Sequence, residues 1–140
     1  MNKEKVEIIK DKGNILAIII YEGYKSSGVN FFTPPEFSQQ LAFISKKKNE
    51  VIDTHIHNPA RREVSITQET LLIKKGKVRV DLYDSKKKYL DSRVLKKGDV
   101  ILLASGGHGF KAVQNLEMVE IKQGPYLFKD DKERFKGFEK

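Results

Sequence analysis

Three histidines are the only imidazoles in the chain, and two of them, His55 and His57, are separated by a single residue. In an extended strand, residues two apart point to the same face with their Cα atoms about 6.5 Å apart. Two imidazoles so spaced can converge on one cation, each ligating nitrogen about 2.0–2.1 Å from it. The chain has no cysteine, so any metal must be held by His, Asp or Glu; thiolate chemistry and a disulfide framework are both excluded. The third imidazole, His108, follows an apolar run at 100–103 and a Ser105-Gly106-Gly107 corner. A carboxylate is available at Glu69, which shares strand parity with Leu71 and Ile73 and should face inward with them. An inward carboxylate must be paired or must coordinate something, because burying it alone is costly.

The elements that must position these groups read as strands. Short β-branched runs occupy 6–10, 15–21, 38–45, 51–57, 65–74, 77–83, 92–95, 100–103, 109–113 and 117–122. Between many of them lie Gly, Asn or Asp, at Asp11-Lys12-Gly13-Asn14, Lys75-Gly76, Asp84-Ser85 and Gly98-Asp99, where turns need them. Ten short strands at close spacing point to an all-β sandwich or barrel. Pro34-Pro35-Glu36-Phe37 could start one helical turn. The lysine-rich stretch 129–140 reads as a charged, loose C-terminal tail, with Phe135 and Phe138 able to dock on a neighbour. Met118 and Phe110 read as core, Gln68 and Thr70 as outward-facing, and Arg79 with Asp81 as a same-face pair on the outer side.

At 140 residues the chain fits one domain. Its 39% hydrophobic content, with eight Phe and five Tyr, excludes a disordered chain. The net charge of +8 comes from lysine clusters at 46–48, 74–75, 86–88 and 96–97. These lack interleaved aromatics and match no nucleic-acid motif, so they read as strand ends and turns where solvated charge blocks edge pairing. No nucleic-acid partner is expected, although a mild attraction for anionic small molecules remains. The longest apolar run, 15–21, is far short of the roughly 20 residues of a membrane helix. A cytoplasmic protein without a membrane partner is expected.

The motifs resemble those of the cupin superfamily. That pattern runs glycine, His-x-His, Glu and a second glycine, then Gly-Asp, an apolar strand, a turn and a His. Here the pair is His55 and His57, the acid is Glu69 with Gly76 following, and Gly98-Asp99 opens the stretch that ends at His108. The resemblance covers about residues 38–123. It implies a double-stranded β-helix, the cupin jelly-roll barrel, with N-terminal extra strands. The expected divisions are an extension at 1–37 that packs on or swaps into the barrel, a barrel at 38–128, and a tail at 129–140. It also implies His55, His57, Glu69 and His108 around one divalent metal ion, and a homodimer in which residues 15–21 contribute strand pairing. The chain departs from the pattern in four places. Eleven residues, 58–68, separate the histidine pair from Glu69, where three or four are usual. Asn49 stands for the leading glycine, and Ala104 for the turn proline. Only Gly107 separates Gly106 from His108. The nearer acid, Glu63, lacks the run to a glycine that follows Glu69.

Three imidazoles and a carboxylate suit Fe, Mn, Zn, Ni or Cu, and sequence does not choose among them. Such a centre can act as a Lewis acid, deliver hydroxide or bind dioxygen. The expected function is a metal-dependent cupin acting on a polar, anionic small molecule, as oxygenase, lyase or isomerase. The alternatives are a small-ligand-binding or sensing barrel without turnover, and a metal-free sugar-nucleotide isomerase. Arg61 and Arg62, in the insertion, could clamp a carboxylate or phosphate, and Tyr126 could sit over the barrel mouth. A Ser-His-Asp triad lacks its strand–Gly-x-Ser-x-Gly–helix context. No glycine-rich phosphate loop precedes a helix.

Overall fold

The structure, a computed structural model, describes residues 5–138. The first four residues of the expected N-terminal extension and the last two of the tail lie outside the described residues. The fold is all-β. Its strands are β1 (Val6–Asp11), β2 (Asn14–Ile20), β3 (Gly28–Phe31), β4 (Ala42–Ser45), β5 (Glu69–Lys75) and β6 (Lys77–Tyr83). They continue with β7 (Tyr89–Lys96), β8 (Val100–Leu103), β9 (Gly107–Ala112) and β10 (Glu117–Lys122), before one turn of 3-10 helix at Phe128–Asp130. All pairings are antiparallel, in sheets ordered β1-β2-β8-β5-β10, β7-β6-β9 and β3-β4. Among the described residues no sheet closes on itself.

The described residues form two compact units, one of residues 5–24 with 67–138 and one of 25–66. In the first, the five- and three-stranded sheets share one core. Ala17 and Ile19 of β2, Leu71 and Ile73 of β5, and Ile101 and Leu103 of β8 face Val78, Val80 and Leu82 of β6 and Leu95 of β7. All ten are almost wholly buried. Fully burying an aliphatic side chain of this kind stabilises by about 1.5–3 kcal/mol, which makes this face the main source of the unit's stability. Strand parity carries the arrangement, since each of these residues is two from the next along its strand.

The turns follow from local chemistry. Gly76 links β5 to β6 at φ 78°, and a Cβ there would meet the Asn115 carbonyl oxygen at 1.9 Å. Asp99, 1% exposed, closes the β7–β8 turn by accepting from the backbone N–H groups of Glu22 and Lys96, each at 2.8 Å. The clusters at 74–75, 86–88 and 96–97 fall at strand ends and turns, as their composition predicts.

Several expectations are revised. Residues 51–57 form no strand; the stretch 46–66, in the second unit, has no regular secondary structure. A strand needs a ladder partner, and among the described residues no strand pairs with this stretch, in which Pro59 also lacks a donor. The second unit instead contains the hairpin of β3 and β4, of which β3 was not anticipated. The Pro34-Pro35 stretch forms a turn rather than a helix. Strand β2 pairs on both sides, with β1 and β8, so its backbone is not available to a second chain. Gln68 is buried, its N–H donating to the Gln123 side chain at 2.5 Å. Phe110 is 40% exposed rather than core.

The C-terminal stretch is docked rather than loose. The Phe135 ring meets Tyr83 edge-on at 5.1 Å, and the Phe138 ring stacks on Tyr89 at 4.1 Å. The Phe138 N–H donates to the Tyr83 hydroxyl at 2.7 Å. These contacts cover the outer face of β6, where Arg79 and Asp81 form the expected pair, two-pronged at 2.8 and 2.9 Å.

Candidate functional site

Register places a polar group at one end of the inward face. In the β5–β10 ladder, Lys122 is the partner of Glu69 and Glu120 the partner of Leu71; in the β6–β9 ladder, His108 is the partner of Leu82. The same face that buries Ile73 and Val78 at one end therefore carries Glu69, Glu120, Lys122 and His108 at the other. The shortened corner before His108 does not turn it away. Gly106 takes φ 72°, and a Cβ there would meet the Tyr83 carbonyl oxygen at 2.4 Å. His108 Nε2 lies 2.7 Å from Glu69 Oε1.

Glu69 is 8% exposed. Burial opposes its charge. The hydrogen bonds from His108 and Glu120, with the nearby charges of His108 and Lys122, outweigh that and hold its pKa down at about 2. Glu120 moves the other way: sharing a hydrogen bond with ionised Glu69, and partly buried, it keeps its proton above the usual carboxylate range. The two directions agree: of the two carboxyls, Glu69 ionises more readily and Glu120 holds its proton more tightly. Lys122 Nζ contacts Asp131 Oδ2 at 2.9 Å and sits 5.3 Å from the Tyr126 ring centroid. Its hydrogen bond to Asp131 raises its pKa above the ordinary lysine value.

These groups line a cavity of about 550 Å³ that extends to the docked C-terminal stretch. A second cavity, about 300 Å³, is walled by Lys5, Tyr21, Lys77 and Lys96. There Tyr21 donates to Glu7 at 2.5 Å and Asp99 is engaged by the backbone, so its polar groups serve the fold.

The four residues expected at a metal occur as two pairs, one in each unit. Glu69 and His108 touch in the first. In the second, the His55 and His57 rings meet edge-to-face at 5.2 Å, with His55 Nδ1 2.8 Å from the Asp53 carbonyl oxygen. Among the described residues no three His, Asp or Glu side chains form one metal-holding group. Arg61 and Arg62 are exposed in the stretch without regular structure, as is Glu63. Tyr126 is 57% exposed; it packs on Phe128 and faces the Lys122 ammonium.

The donor chemistry of Glu69 and His108 fits a divalent ion. Two ligands about 2.1 Å from one cation and at right angles stand about 3.0 Å apart. The 2.7 Å contact is shorter than that separation, and the two groups point at each other as a hydrogen-bonded pair, so both side chains would have to turn to face a common ion.

Sequence reasoning missed Glu120, Lys122 and Asp131. Residues 117–122 read as a strand with Met118 as core; Val119 and Ile121, of the opposite parity, are 45% and 58% exposed. The parity of Met118, which packs on the core, was the signal that would have placed Glu120 and Lys122 inside.

Comparison of the chain with protein-family models, with curated proteins and with solved structures gave no match. Among the described residues, no helix is long and apolar enough to cross a membrane.

Proposed function

We propose that this chain is a cupin-type protein that binds one divalent metal ion and acts on a polar, anionic small molecule. The observation that carries the reading is the contact of Glu69 and His108 at the polar end of a buried face, beside a cavity large enough for a small metabolite. On this reading Glu69 and His108 are metal donors, and the motif assigns His55 and His57 to the same ion. The fold belongs to the same proposal: the two sheets with a common core are the halves of a jelly-roll barrel, in a cytoplasmic homodimer. When bound, the metal would supply Lewis acidity or a site for dioxygen; oxygenase, lyase and isomerase chemistry all remain within the proposal.

Metal analysis of protein purified without an affinity tag tests it. About one divalent ion per chain is expected, with loss in Glu69→Ala, His108→Ala and His55→Ala. Substoichiometric metal in the unsubstituted chain, unchanged in all three variants, would overturn the reading.

A second reading is supported by the hydrogen bonding of Glu69 with His108 and Glu120. A carboxylate held against an imidazole and a second carboxyl offers general acid–base groups, as a metal-free isomerase of sugar nucleotides would need. Turnover of a sugar nucleotide that survives excess chelator and is lost in Glu120→Gln would favour it over the metal-dependent reading.

A further inference from the structure

Lys122 and Asp131 are not needed by the β5–β10 ladder, yet they form the most enclosed ion pair of the cavity, with side chains 18% and 5% exposed. Glu69, the ladder partner of Lys122, is already served by His108 and Glu120. The Lys122 ammonium is instead met at 2.9 Å by a carboxylate that arrives from outside the sheet. Asp131 stands just after the 3-10 turn, at the start of a stretch with no regular secondary structure. That stretch is fastened beyond Asp131 by an exposed pair of Lys87 with Glu133 and by the Phe135 and Phe138 ring contacts on Tyr83 and Tyr89. The carboxylate that neutralises Lys122 is therefore supplied by the C-terminal stretch and not by the strand framework.

We infer that Lys122 is the anion-recognition residue of this cavity and that the Asp131 carboxylate occupies the position taken by a carboxylate of the bound ligand. The inference rests on the reading of the Glu69–His108 cavity as a ligand site and names the ligand class: a small carboxylic acid. Exchange of one carboxylate for another keeps the Lys122 ammonium paired, so the ligand avoids the desolvation cost of leaving it alone. The Tyr126 ring beside Nζ makes this aromatic a positioning residue for the cation, acting through Lys122.

Succinate is the probe. The full-length chain, its Asp131→Asn form and its Lys122→Met form are titrated at constant ionic strength, following amide signals of Gly107 to Phe110 by NMR. Removing the internal competitor in Asp131→Asn should tighten succinate binding about fivefold or more, and Lys122→Met should weaken it at least about tenfold. Equal affinity in the unsubstituted chain and Asp131→Asn would overturn the inference, as would shifts confined to residues outside the cavity. If Lys122→Met does not fold, the Asp131→Asn comparison decides alone. Metal content of the same samples separates the two proposals. Tighter succinate binding in a chain without metal upholds the inference and removes the metal reading; a metal-loaded chain with unchanged succinate affinity does the reverse.

Discussion

His108 Nε2 and Glu69 Oε1 stand 2.7 Å apart although the two residues are 39 positions apart in sequence and lie on strands of different sheets. Each sheet contributes one partner, so the contact forms only when the sheets face each other over the common core. His108→Ala would leave the buried Glu69 carboxylate without this donor, a loss of about 1–3 kcal/mol. Urea unfolding checks the stability, and carboxyl NMR should show Glu69 titrating well above its value of about 2.

Glu7 and Arg93 tie β1 to β7, with Arg93 donating to Glu7 Oε1 at 2.6 and 2.8 Å. The Arg93 hydrogen bonds lower the Glu7 pKa; burial opposes them, and the Tyr21 hydroxyl adds to them. A depressed carboxylate stabilises the fold above its unfolded pKa and loses that contribution as pH falls through the folded value. Glu7→Gln should cost about 1 kcal/mol near neutral pH, since both side chains are partly solvated. The difference should vanish in acid, once Glu7 is protonated in the folded chain, as read by urea titrations across pH.

Asp99, 1% exposed, accepts the backbone N–H groups of Glu22 and Lys96. Asp99→Ala should destabilise by about 1–3 kcal/mol through loss of those two part-buried hydrogen bonds. Asp99→Asn, which keeps one acceptor oxygen, should cost less. A fall in denaturation midpoint with unchanged slope checks both.

Gly76 combines a left-handed backbone with a carbonyl oxygen where a Cβ would stand. Gly76→Ala should cost at least about 2 kcal/mol, part from the left-handed conformation and part from displacing residue Asn115. Gly109, where a Cβ meets nothing within 4 Å, should accept alanine with a change within about 0.5 kcal/mol. Paired thermal melts distinguish the two.

Phe138 holds the C-terminal stretch by stacking on Tyr89, with the Arg79 guanidinium 5.7 Å from its ring centroid. Phe138→Ala removes a ring contact of about 0.5–1.5 kcal/mol. Faster amide exchange and proteolysis confined to residues 129–138, with the β6–β9 ladder unaffected, is the expected outcome.

Period-two patterning determined the all-β class, most strand positions and the inward parity of Glu69, because strand parity is a local property of the backbone. Turn chemistry was legible for the same reason: Gly76 and Asn49 both adopt the left-handed conformations that their types suggested. The resemblance to a known motif marked His108 and Glu69 as partners, but their contact depends on two sheets facing each other, which no local pattern encodes. Residues 51–57 looked like a strand because β-branched side chains favour one, yet a strand exists only where another lies beside it. In strand β10, Val119 and Ile121 are apolar but exposed, and Glu120 and Lys122, which share the parity of Met118, are charged but face the cavity. Hydrophobicity predicts a face only when that face is core throughout. Here the inward face changes from apolar to charged along its length, and only the packing of the two sheets and the C-terminal stretch decided where.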